Sequence, residues 1–147
     1  MTKEIWFDMD GTIANLYAVE NWLSDLRAES ARPYEVAMPM LNFSLFARLL
    51  NQLQANGWRL GIISWTAKGG SEEYNALVDM AKRLWLAKHL PSVHWDEIKI
   101  VQYGTNKREA CGGGILFDDE ENNRKTWGQD AYEPQDIVTI LKSLKGV

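Results

Sequence analysis

Residues 4–14, "EIWFDMDGTIA", run from a short apolar segment into two aspartates two positions apart, followed by a glycine and a threonine. Asp and Gly favour turns, and a turn alone would account for the stretch. A turn does not require Asp8 and Asp10 together at the end of a hydrophobic strand, where two carboxylates repel each other. The other reading is a site in which a positive charge sits beside them and a reaction depends on it. The rest of the chain chooses between the two.

Outward from this stretch, residues 4–8 predict a buried strand, and Leu16, Val19, Trp22, Leu23 and Leu26 recur at helical spacing over 16–30. The proline-containing stretch 32–41, "RPYEVAMPML", reads as a loop. A second amphipathic helix spans 43–56, with Phe43, Phe46, Leu49, Leu50 and Leu53 on one face and Asn56-Gly57 as its stop. A strand follows at 58–64. Ser71 is placed to cap a helix that carries Tyr74, Leu77, Val78, Ala81, Leu84 and Trp85 inward and stops before Pro91. Strands are predicted at 97–103 and 114–119, a short helical link between them, and a last helix opening at Pro134.

Strands alternating with helices imply parallel pairing through right-handed crossovers. The apolar runs "GIIS" and "GILF" suit a sheet covered on both faces. The expected fold is α/β, a Rossmann-like three-layer sandwich with a mostly parallel central sheet and a small or absent cap. A length of 147 residues suits one domain over 1–147. The surplus between the first two strands, 15–42, is enough for a small helical lid and too short for a folded cap domain.

Composition narrows the function classes. No apolar stretch approaches the roughly 20 residues of a membrane span, and the first ten residues lack the pattern of a secretory signal. The single cysteine, Cys111, cannot pair within the chain, which fits a reducing compartment; the expected location is the cytoplasm. A net charge of −4 gives no global attraction to nucleic acid.

Ligands of such sheets bind beyond the carboxyl ends of the strands. The first predicted strand ends in Asp8 and Asp10, the second in Ser64, the third runs into "YGTNK" with Lys107, and the fourth ends in Asp118 and Asp119. Four carboxylates, a hydroxyl and an ammonium therefore meet at one edge. A divalent cation relieves the repulsion, and an all-oxygen donor set suits Mg²⁺. One cysteine, and His89 and His94 in no ligand pattern, argue against zinc. A metal plus Lys107 makes the pocket receptive to a phosphate dianion, to which Ser64 can donate.

Strand-Asp-x-Asp-Gly-Thr at 8–12, a strand-ending Ser64, Lys107 and the strand-ending pair Asp118-Asp119 together resemble the four motifs of the haloacid dehalogenase-like hydrolases, in that family's order. For the third motif, Lys99 and Arg108 stand close to Lys107 as alternatives. The resemblance implies that Asp8 is a nucleophile forming an aspartyl-phosphate, and that Asp10 protonates the leaving oxygen and then activates water. It implies that Asp8, the Asp10 carbonyl, Asp118 and Asp119 serve Mg²⁺, that Thr12 fixes Asp8, and that Ser64 and Lys107 hold the phosphoryl oxygens. The activity implied is that of a Mg²⁺-dependent phosphatase with a phosphorylated small molecule or macromolecule end as substrate. Minimal caps in the family also go with a neighbouring subunit closing the site, hence a homo-oligomer. Against it stand a catalytically idle Mg²⁺- or phosphate-binding module and a phosphoacceptor signalling domain. In a response-regulator receiver, however, the acidic pair comes early and the lysine last. A phosphomutase would need a substrate-selecting cap.

Overall fold

The computed structural model describes residues 3–145, so the first two and last two residues of the expected 1–147 domain lie outside the described residues. Five parallel strands form one sheet: β1 (Glu4–Phe7), β2 (Arg59–Trp65), β3 (Glu97–Val101), β4 (Ile115–Phe117) and β5 (Ala131–Tyr132), in the order β3-β2-β1-β4-β5. Phe7 aligns with Ile62 on one side and Phe117 on the other. The chain builds outward from β1 to β2 and β3, then crosses back to lay β4 and β5 on the opposite side. The switch point therefore falls between β1 and β4, where ligands of open α/β sheets bind.

Two-residue alternation sorts the strand side chains between the faces. Ile5, Phe7, Leu60, Ile62, Ile115 and Phe117 join Phe46, Leu49, Leu50 and Leu53 of α3 (Phe43–Ala55) and Ile137 and Leu141 of α7 (Ile137–Leu144). Trp6, Ile63 and Leu116 pack on the opposite face with Trp127 of α6 (Glu121–Trp127) and Ala110 and Cys111 of α5 (Lys107–Cys111). Gly61 has no room for a side chain, because the Trp6 ring occupies the space a Cβ would take. Helix α4 (Glu72–His89) carries the β2-to-β3 crossover, and Ser71 caps it as expected, its hydroxyl accepting the Tyr74 N–H at 3.1 Å. Among the described residues no helix is long and apolar enough to cross a membrane.

Several expectations about elements are corrected. The helix expected over 16–30 is a 3₁₀ turn at Leu16–Ala18 followed by the six-residue α1 (Trp22–Arg27). The chain adopts left-handed backbone at Asn21 (φ 64°) and Glu29 (φ 57°), which separates the pieces. Within the expected loop 32–41 lies a short helix, α2 (Arg32–Val36); Pro33 sits in its first turn, where a missing N–H costs nothing. Leu77 and Leu84 of α4 point outward, and Lys82 and Leu86 take inward positions. Helix α6 and the two-residue β5 extend the sheet beyond the four predicted strands.

Candidate active site

Pairing continues one residue past β1 and β4, and this places the first carboxylates. The Asp8 N–H donates to the Phe117 carbonyl at 3.0 Å, and the Asp118 N–H to the Tyr132 carbonyl at 3.1 Å. Asp8 and Asp118 thus end adjacent strands at the switch point. The chain then reverses tightly: the N–H groups of Thr12, Ile13 and Ala14 all point to the Met9 carbonyl. Gly11 makes the reversal at φ 80°, and a Cβ there would collide with the Asp119 carboxylate and the Tyr17 ring.

Asp8, Asp118 and Asp119 each offer one carboxylate oxygen within 4.8 Å of the others. Thr12 ties the group together. Its hydroxyl donates to Asp8 Oδ2 at 2.9 Å and accepts the Asp119 N–H at 3.1 Å. Asp118 is fixed further by the Glu120 N–H at 2.9 Å and by Asn123 Nδ2, of α6, at 3.2 Å. Lys107 opens α5, whose first turn is capped by Asn106, and its ammonium bridges Asp8 Oδ1 at 3.0 Å and Asp118 Oδ2 at 2.7 Å. It is 2 % exposed. Burial disfavours its charge, but the charges of Asp8 and Asp118 outweigh that and raise its pKa, so it stays an ammonium. Lys99 bonds the Ala110 carbonyl and Arg108 the Trp127 carbonyl, so neither alternative reaches the carboxylates.

Burial, and then the charge of Asp8, push Asp118 and Asp119 above the usual carboxylate range, Asp119 to about 8. Asp10 is raised by burial as well, opposed by the charge of Lys82. The donor chemistry fits a hard divalent ion: three converging carboxylate groups, of which Asp118 and Asp119 are held above the usual range by burial and by the charge of Asp8.

Lys82 was not among the residues singled out from the sequence. It is 1 % exposed and donates to Asp10 Oδ2 at 2.8 Å, Ser64 Oγ at 2.7 Å and the Trp65 carbonyl at 2.7 Å, with its ammonium 5.0 Å from the centre of the Tyr34 ring. The signal was a lysine interrupting the inward stripe Tyr74, Val78, Trp85 of an otherwise amphipathic helix. Asn123, buried on α6, was also missed; a helix had not been predicted there.

These groups open onto a cavity of about 530 Å³ whose wall includes Asp8, Asp10, Lys107, Asp118 and Asp119. Ser64 and Thr12 are buried behind that wall. The outer wall comes from the segment after β1 (Leu16, Tyr17, Trp22, Leu23, Leu26, Arg27) and from the ends of β2 and β3, with Trp65 and Tyr103.

No protein-family model and no curated protein matches the chain. Solved structures do. A D,D-heptose 1,7-bisphosphate phosphatase from Burkholderia thailandensis superposes with a TM-score of 0.54 at 14 % identity, over 97 % of both chains. The enzyme of the same name from B. bronchiseptica, complexed with magnesium and phosphate, gives a TM-score of 0.55 at 14 % identity, over 97 % of this chain and 98 % of that one. The α/β fold expected from the alternation of strands and helices is the fold of this chain, and the chain shares it with these two phosphatases.

Proposed function

We propose that the chain is a Mg²⁺-dependent phosphatase that hydrolyses a phosphomonoester through an aspartyl-phosphate on Asp8. The observation that carries this reading is the cluster at the switch point: three carboxylates brought within 4.8 Å, with a buried lysine across two of them and Asp10 on the same cavity wall. A packing core has no use for such a set. Two solved neighbours of the same fold are phosphatases, one holding magnesium and phosphate, which supports the same reaction class.

In the first step an Asp8 carboxylate oxygen attacks phosphorus as the bond to the leaving oxygen breaks. Asp10, whose pKa burial raises against the opposing charge of Lys82, gives its proton to that oxygen. Asp10 then takes a proton from water, whose oxygen attacks phosphorus; the Asp8–phosphorus bond breaks and phosphate leaves. Lys107 stabilises the charge on the equatorial oxygens, and Lys82 holds Asp10 and Ser64 in place. Asp8, Asp118, Asp119 and the Asp10 carbonyl would hold Mg²⁺, which supplies positive charge to the phosphoryl group. Residues 15–42 act as a small lid on one catalytic domain, and the unpaired Cys111 favours a cytoplasmic setting.

The test is phosphate release from phosphomonoesters with Mg²⁺ and with chelator. Asp8→Asn, isosteric and no longer nucleophilic, is expected to lose about 10³-fold or more in kcat while keeping the wild-type circular dichroism. Undiminished turnover by this variant would refute the nucleophile assignment. Turnover by a folded wild type that survives chelation would refute the metal assignment.

A further inference from the structure

This chain keeps its large aromatics inside, with an exception at one place. Trp6, Trp58, Trp85, Trp127, Phe7 and Phe117 are buried, yet the two most exposed aromatics, Tyr17 at 47 % and Tyr103 at 43 %, both line the cavity beside the carboxylates. Each is paired with a tryptophan of the same cavity. Tyr17 meets Trp22 edge-on at 5.0 Å, on the segment after β1; Tyr103 leans against Trp65 at 4.8 Å, where β2 and β3 end. The rings are placed close to the chemistry and held there. Tyr17 abuts Gly11, the Trp65 Nε1–H donates to the Thr105 carbonyl at 2.9 Å, and the Lys107 ammonium lies 5.1 Å from the Trp65 ring centre.

Resting on the phosphatase reading, we infer that the leaving group is a nucleoside: the substrate is a nucleoside monophosphate whose base stacks on the Tyr17–Trp22 and Trp65–Tyr103 rings. A sugar phosphate would call for a wall of hydroxyl, amide and carboxylate groups around the ring oxygens. Here the wall beyond Asp8, Asp10, Asp118 and Asp119 is mainly aromatic and aliphatic, with Arg27 and Lys68 as further cations and Glu29, Thr66, Glu120 and Asn123 as its other polar side chains. A base offers a π-face to such rings whatever its identity. A sugar holds it away from phosphorus, so the phosphate can lie at Lys107 while the base lies between the two ring pairs. A cavity of about 530 Å³ falls within the range of small-molecule sites.

The experiment combines kinetics with calorimetry on the wild type, Trp22→Ala and Tyr103→Ala. The kinetic substrates are adenosine and thymidine monophosphates, ribose phosphate and phenyl phosphate; the calorimetric ligands are adenosine and thymidine. The wild type is expected to favour nucleotides over ribose phosphate by about a hundredfold in kcat/KM, and each variant to raise KM for nucleotides by about tenfold with kcat nearly kept. Ribose phosphate or phenyl phosphate turned over as well as the nucleotides would overturn the inference and leave the phosphatase reading standing. Nucleoside binding weakened by the two variants, with no phosphomonoester hydrolysed, would overturn the phosphatase reading and with it the leaving-group assignment, while the stacking of a base on these rings would stand.

A separate observation concerns the outer face of α4. Leu77, Met80 and Leu84 are each more than half exposed and follow a spacing of three and four, the seam of a helix pair. Helix α2 packs on α4, and its Arg32 and Glu35 line the groove beside these residues. The charges select the occupant. If two α4 helices meet antiparallel about a two-fold axis between Met80 and Ala81, each Leu77 faces the other copy's Leu84. The same register brings exposed Glu73 opposite exposed Lys88 at both ends. The geometry points to a second copy of this chain on this face. Sedimentation equilibrium is expected to show a dimer that Glu73→Lys weakens and that adding Lys88→Glu restores. A wild-type monomer at micromolar concentration, or a double variant no tighter than the single one, would overturn it.

Discussion

Lys82 is the residue on which this site departs most from what its motifs announce. A buried ammonium touching Asp10, Ser64 and a carbonyl has its three donors satisfied, and each acceptor depends on it. Lys82→Met keeps much of the volume and removes the donors, leaving Ser64 and Asp10 short of a partner. A loss of about 1–3 kcal/mol is expected in urea unfolding, together with a lower kcat. A variant as stable and active as the wild type would show that the contacts are incidental. Gly11→Ala tests the opposite constraint, space. The left-handed backbone alone costs about 1–2 kcal/mol, and the new methyl displaces the Asp119 carboxylate or Tyr17. Mg²⁺ affinity, measured by calorimetry, is expected to fall along with stability; unchanged affinity would mean that Asp119 is not needed for the ion.

At the scale of elements, what could be read in advance follows from how local each signal is. Strands β1, β2 and β4 were legible because apolar runs ended abruptly in Asp, Ser or Asp. Helix α3 was legible because its stripe of Phe46, Leu49, Leu50 and Leu53 obeys the helical period and is buried. Residues 16–30 obey the same period and still break, since the backbone turns left-handed at Asn21 and Glu29. Glu29 accepts from both the Ser71 N–H (2.9 Å) and the Ser71 hydroxyl (2.8 Å), a contact 42 residues away that no local pattern reveals. On α4 the stripe misled in another way: Leu77 and Leu84 satisfied the period but lie on the outer edge, while Lys82 sits inside because it has polar partners. The site was legible at the strand ends and at Lys107, which opens α5, and illegible where the body of a helix supplies it, at Lys82 and Asn123. The packing of α3 provides the element-scale prediction. Phe46 meets the rings of Phe7 at 5.2 Å and Phe43 at 5.5 Å, so Phe46→Ala is expected to cost about 3–5 kcal/mol in denaturant unfolding. A loss below about 1 kcal/mol would mean that the core closes over the gap.

For the whole molecule, the site is a concentration of negative charge that the fold maintains at a cost, and pH exposes that cost. Asp118 and Asp119 have folded pKa values above those of the unfolded chain, Asp119 at about 8. Between the ordinary carboxylate range and about 8 the folded protein therefore holds more protons than the unfolded one. Their contribution is fully present below the unfolded pKa and fades as pH rises through the folded values. Lys107 does not offset this trend: its raised pKa keeps its contribution intact across the same window. Without metal, stability should accordingly decline from about pH 5 towards about pH 8. On the proposed metal role, Mg²⁺ would bind the deprotonated carboxylates, so its stabilising effect should grow over the same interval as protons cease to compete. Thermal unfolding at a series of pH values, with chelator and with Mg²⁺, reads both trends at once. The two curves should diverge as pH rises; parallel curves would mean that these carboxylates are not where the ion binds.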